Sequence, residues 1–196
     1  PIQSTPNEAA SVHVNGLNTW GQLPVLEVEN ATPLTEVAAI LTYLSQAEPT
    51  VGQGPNLWID NVPAFHRWTV FLAVNVYEGI LRRSYTSRYV STPSSPDLGP
   101  GRELPADIKE VITNSVREAA SERIHQAFKC IERETRNHAF LLSDRMSPCD
   151  IFLAMLYAWH KQKPDLPKCT WITTQVATHP SIRPVWKRSF EHLLEL

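Results

Sequence analysis

The chain has 196 residues, with 18 Lys and Arg against 20 Asp and Glu, a net charge of −2 and 42% hydrophobic content. That length accommodates one large or two small domains, and no basic run exceeds Arg82-Arg83, which excludes nucleic-acid and acidic-lipid binding as a primary role. No apolar stretch reaches the ~18 residues of a membrane span. The three cysteines, Cys130, Cys149 and Cys169, lack CxxC spacing, which gives neither a disulfide framework nor a zinc site. With no pattern of a secretory signal at its start, the expected setting is cytoplasmic and reducing, without metal, membrane or nucleic acid.

Residues 1–22 are interrupted by Pro1, Pro6, Asn7, Asn15, Gly16, Asn18 and Gly21, with weak alternation over Ser11 to Val14 and a candidate strand remnant at Pro1 to Ser4. Residues 23–28 read as a short strand rich in branched side chains, residues 29–32 as a hairpin turn, and Pro33-Leu34 as a second strand. With Thr35 as N-cap, the apolar positions Val37, Ile40, Leu41 and Leu44 then take helical spacing. Pro49, Gly52, Gly54 and Pro55 make residues 45–62 a linker.

A long helix is predicted over residues 63–88, started by Asp60 or Asn61. It is apolar on most sides through Phe65, Trp68, Phe71, Leu72, Val76, Ile80 and Leu81, which marks a central place in a bundle. Residues 91–105 hold Pro93, Pro96, Pro100 and Pro105 and read as a loop. From Ile108 to Ile131 a 3.6-residue apolar period predicts an amphipathic helix ending near Asn137.

Residues 140–151 open a nearly all-apolar helix that runs to His160. Ser147 supplies an N-cap, Asp150 three residues on completes a capping box, and Pro148 falls at the first helical position. Met146 and Ile151 take the two ends of a hydrophobic staple. Capping accounts for both Ser147 and Asp150. A helix N-terminus can lower a thiol pKa, but Cys149 reads first as a small buried apolar residue. His66, His125, His138 and His160 show no ligand spacing and read as structural or solvated. Two shorter helices close the chain, at 170–178 and 181–194, separated by His179-Pro180.

Three segments in order resemble the cytosolic glutathione transferases. Residues 140–151, Phe-Leu-Leu-Ser-Asp-Arg-Met-Ser-Pro-Cys-Asp-Ile, are similar to that family's capping-box segment, with Ser143 for Gly, Met146 for an aromatic and Cys149 for Ala. Residues 17–26 look like its Asn-Pro-x-Gly-x-Val-Pro-x-Leu stretch, and residues 34–41 like its Leu-Thr-Glu-Ser-x-Ala-Ile motif. The resemblance spans roughly residues 17–194. It implies an α+β fold, with a partial thioredoxin-like N-terminal domain over 1–48 and an all-α helical bundle over 56–196. Only 22 residues precede Leu23, too few for a full β-α-β unit of ~30 residues, so a shortened N-terminal domain is expected.

The resemblance also implies a site. Pro24 corresponds to the family's cis-proline, whose neighbour Leu23 offers its backbone to the cysteinyl part of glutathione as an added strand would. Gln22, Leu23, Pro24, Glu36 and Val37 form the implied glutathione-binding set, the last two at a helix N-terminus suited to the γ-glutamyl amine and carboxylate. Val37 replaces the family's Ser, removing a hydroxyl donor and keeping the backbone N–H. Phe71, Asn75, Tyr77 and Trp159 are the implied lining for an apolar substrate between the domains. No residue is assigned to activating the thiol.

The implied function is a glutathione-dependent enzyme with glutathione as cosubstrate. It would conjugate an apolar electrophile, or isomerise a conjugated alkene by reversible thiol addition, in specialised biosynthesis, as a homodimer. The alternative is a non-catalytic interaction module, favoured by Val37 and opposed by the retained Leu23, Pro24 and Glu36.

Overall fold

The computed structural model describes residues 16–19, 21–46, 59, 61–90, 105–160 and 166–190. The chain divides into two compact units, Pro1–Asp60 and Asn61–Leu196.

In the first unit, strands β1 (Val25–Leu26) and β2 (Leu34–Thr35) pair antiparallel, Val25 opposite Thr35 and Leu26 opposite Leu34. The strand expected over residues 23–28 is thus only two residues long. Pro24 has no N–H to give a ladder, and the chain turns back soon after Leu26, with the Ala31 N–H bonded to the Val28 carbonyl. Asn30 tips that turn at φ 58°, a conformation Asn tolerates better than most residues. Helix α1 (Val37–Gln46) packs on β2. The expectation for Thr35 is corrected: it belongs to the ladder and is not the cap. Glu36, at φ 68°, turns the chain from strand into helix, and its carbonyl accepts the Ile40 N–H at 2.9 Å.

The second unit is a helical bundle. Helix α2 (Val62–Phe71) is capped by the Asn61 side chain, which accepts the Ala64 N–H at 3.1 Å. The single helix expected over 63–88 is instead three linked pieces: α2, a π-helical segment (Leu72–Tyr77) and α3 (Glu78–Ser84), followed by a 3₁₀ turn at Thr86–Arg88. Within it the Glu78 N–H reaches back to the Ala73 carbonyl, the wide turn that inserts one residue into an otherwise regular helix. Leu72, Val76 and Ile80 stay buried through it.

Helix α4 (Ala106–Glu134) packs along the π segment and α3. The approach is close at Gly79, where an added Cβ would lie 2.7 Å from Ile124 Cγ1. Only the second half of α4, from Ala120 through Ile124, Ala127, Phe128 and Ile131, is buried.

Helix α5 (Pro148–Trp159) is the core element, with Leu153, Ala154 and Leu156 wholly buried. It packs on α6 (Pro167–Thr178), which packs in turn on α7 (Arg183–Phe190). Helix α6 begins earlier than its sequence period indicated, because Pro167 takes the first turn and Glu132 of α4 accepts the N–H groups of Lys168 (3.1 Å) and Cys169 (2.7 Å). Helix α7 is described only to Phe190, so the expected continuation to 194 lies outside the described residues, as do residues 1–15, the 47–58 part of the expected linker and the 91–104 part of the loop. Among the described residues no helix is long and apolar enough to cross a membrane.

Candidate functional site

In the first unit, the antiparallel register decides which residues meet. Leu23-Pro24 lead into Val25 and Glu36-Val37 lead out of its partner Thr35, so the two segments flank the same end of the hairpin, where Glu36 at φ 68° ends the pairing and α1 begins. The Leu23–Pro24 peptide bond is cis, as the sequence resemblance implied. Gln22, Leu23, Pro24 and Glu36 are exposed, Leu23 at 61%, and Val37 is half-buried.

Asn18 supports this edge, and the sequence reading gave it no role. Its side-chain amide donates to the Gln22 carbonyl at 2.7 Å, while its own carbonyl accepts the Gly21 N–H at 2.8 Å. Gly21 sits at φ 68°, where a side chain would strain the backbone. The clue was the pairing itself: an Asn three residues ahead of a Gly commonly closes a turn. Here Asn18 is buried and fixes the peptide that leads into Leu23-Pro24.

In the second unit, the four implied substrate residues separate into two pairs. Tyr77 and Trp159 come together, with ring centroids 6.4 Å apart, and Trp159 also meets Phe190 at 6.3 Å. Phe71 and Asn75 look elsewhere. Phe71 sits edge-on against Trp68. Asn75 engages its polar atoms within the helical unit, donating to the Phe71 carbonyl (3.2 Å) and accepting from Arg123 of α4 (2.8 Å) at the surface. Asn75 therefore ties the π segment to α4.

Beneath Trp159 lies Arg83, buried in the bundle. Its Nη2 donates to the Trp159 carbonyl at 2.9 Å and its Nη1 lies 3.3 Å from His160 Nδ1. A cation at the carbonyl end of a helix is favourably placed against the helix dipole. Burial lowers the Arg83 pKa from its ordinary value. His160, wholly buried, stacks near Phe128 and is structural.

The capping box is present as the sequence indicated. Asp150 accepts the Ser147 N–H (2.8 Å) and the Ser147 hydroxyl (2.6 Å). It also accepts the Leu141 N–H at 2.8 Å, a bond that sequence spacing does not reveal. Desolvation raises its carboxyl to about 6, against the opposing pull of these donors.

None of the thiols is prepared for chemistry. Burial raises the pKa of Cys149, whose thiol contacts the Phe65 carbonyl at 3.7 Å, and that of Cys169. Cys130 is raised by burial and by its bond to Glu134. A hollow of about 400 Å³ lined by Glu132, Arg136, Lys168 and Trp171 contains none of the implied site residues. Its carboxylate is occupied in capping α6.

The fold is similar to that of solved glutathione S-transferases. A glutathione S-transferase from Xylella fastidiosa superposes with a TM-score of 0.71 at 16% identity, over 93% of this chain and 83% of that one. The chain has the glutathione transferase fold. A glutathione transferase homologue from Sulfitobacter, with bound glutathione, matches at 0.66 and 19% identity over 90% of this chain and 78% of its own. A sphingomonad glutathione S-transferase complexed with glutathione matches at 0.61 and 17% identity, over 89% and 77%. No protein-family model and no curated relative matches the sequence. The glutathione transferase fold thus persists here at low sequence identity, with the helical unit's capping box intact.

Proposed function

We propose that the chain binds a glutathione-type thiol at the edge formed by Gln22, Leu23, Pro24, Glu36 and Val37 and uses it on an apolar electrophile. The observation that supports this reading is the two-stranded hairpin, one end of which is flanked by Leu23-Pro24 on one strand and by Glu36-Val37, opening a ten-residue helix, on the other. The exposed Leu23 backbone suits strand-like pairing with a peptide. The N–H groups that open a helix suit a carboxylate, and Glu36 suits an ammonium group. The conjugation and the thiol-dependent alkene isomerisation open to such a site share one first step, addition of the thiol sulfur to an electrophilic carbon. For the apolar partner, Tyr77 and Trp159, joined by Phe190, are the aromatic surface this reading uses. Of the hydroxyl residues ahead of Leu23, Ser4, Thr5 and Ser11 lie outside the described residues and Thr19 is exposed; no activating residue is assigned.

Calorimetry with glutathione tests the site. Millimolar or tighter binding is expected, and Glu36→Ala should weaken it about tenfold or more, the scale of a hydrogen bond to a charged group. Absence of binding at millimolar ligand would leave the second reading, a non-catalytic interaction module. Val37, lacking the hydroxyl of the family motif, is the observation that favours it.

The same reading includes a homodimer. Val70 and Val74 form one exposed apolar stripe, and Ile108, Val111 and Ile112 form another on the first half of α4, with Val111 at 68% exposure. Sedimentation should show a dimer that Val111→Glu shifts toward monomer, and a monomeric wild-type chain would contradict it.

A further inference from the structure

The hollow beside the start of α6 has no part in the thiol-site reading. Its lining comes entirely from the helical unit: Glu132 at the end of α4, Arg136 and Ala139 in the loop after it, and Pro167, Lys168 and Trp171 of α6. Its volume of about 400 Å³ falls within the ~300–1,000 Å³ of small-molecule sites.

The charges that face it are unequally satisfied. Glu132 is the one carboxylate among its described lining residues, and both of its oxygens are committed, Oε2 to the Lys168 N–H at 3.1 Å and Oε1 to the Cys169 N–H at 2.7 Å. Asp144 of the same loop holds the Ala139 N–H at 2.8 Å and does not line the hollow. Arg136 donates through Nε to the Arg133 carbonyl at 3.0 Å, and among the described residues its Nη groups meet no carboxylate. Lys168 donates from Nζ to the His138 carbonyl, and the same ammonium stands 5.2 Å from the centre of the Trp171 ring.

The apolar wall is Trp171. It is 41% exposed, a large share for a side chain that is highly buried on average. Phe140, with ring centroids 5.2 Å apart at 52°, packs against it, so the indole is held by Phe140 and Lys168 while part of it stays open. An exposed indole favours a stacked aromatic ring. A guanidinium with unused N–H groups favours a carboxylate, which matches its planar fork in pairs.

We infer that this hollow binds a small aromatic carboxylate, with the ring against Trp171, the carboxylate on Arg136 and Lys168 adding a second positive charge. The inference is independent of the thiol site.

The test is calorimetry on the full chain with naphthylacetate and with naphthylacetamide, which keeps the ring and loses the charge. The acid should bind at submillimolar concentration and about tenfold more tightly than the amide, the scale of a hydrogen bond to a charged group. Added salt should weaken the acid alone. Arg136→Gln should lower affinity for the acid about tenfold and leave the amide unchanged, whereas Trp171→Leu should weaken both. Arg117→Gln, on α4 outside the hollow, should change neither, and far-UV ellipticity checks that each variant is folded. No binding of the acid at millimolar concentration would overturn the inference, as would equal affinity for acid and amide. A folded Arg136→Gln protein that binds the acid as tightly as its parent would also overturn it. Competition by millimolar glutathione would place the acid at the thiol site and overturn it too.

Discussion

Asp150 shows how much one carboxylate can organise. It holds the N–H of Leu141, the N–H of Ser147 and the Ser147 hydroxyl, so it joins the loop before α5 to the helix start. Asp150→Ala leaves buried donors unsatisfied and should cost about 3 kcal/mol or more, read as a lower urea midpoint. Its titration gives a second handle. Burial raises the folded carboxyl to about 6 from 3.8, so the native state holds this proton more tightly than the unfolded chain. The resulting stabilisation is full below the unfolded value and is lost as pH rises through about 6. Asp150→Asn should remove that component of the pH dependence, seen by comparing urea midpoints of the two proteins from about pH 4 to pH 7. Asn18 is the corresponding residue of the first unit. Asn18→Ala should free the Gln22 peptide and weaken thiol binding several-fold, about 1 kcal/mol, while the helical unit keeps its ellipticity.

Among the elements, the π segment is where pattern reading fell short. Helical periodicity identified the buried positions Leu72, Val76 and Ile80 but carries no mark of an inserted residue, because the wide turn is chosen by packing. Gly79 gives the reason for close packing nearby. Adding a methyl there gains helix propensity of about 1 kcal/mol, yet the new Cβ would stand 2.7 Å from Ile124 Cγ1. Gly79→Ala should therefore be destabilising by about 1–2 kcal/mol, within the range for overpacked cores. Combining it with Ile124→Ala should give less than the sum of the two losses, a coupling that denaturation of the four proteins measures directly. Helix α5 lies at the other extreme. Its cap, its first proline and its buried face were all legible because each depends on residues within a few positions. Thr35 was misassigned for the opposite reason: its strand partner, Val25, lies ten residues away.

For the whole molecule, the resemblance in three short segments led to the fold that the solved structures share. The cis Leu23–Pro24 bond agrees with it. What the sequence reading missed was the separation of Phe71 and Asn75 from Tyr77 and Trp159: Asn75 and Tyr77 both lie in the π segment, and residues two apart face different sides of a helix. The placement of charged residues along the chain also determines how proteases see it. Trypsin cuts after Lys or Arg, and the first of these is Arg67, so the entire first unit leaves a digest as a single fragment. A glutamate-specific protease has Glu27, Glu29 and Glu36 exposed to it. A thiol seated at the candidate edge should shield the Glu36–Val37 bond from that enzyme while the tryptic fingerprint stays the same.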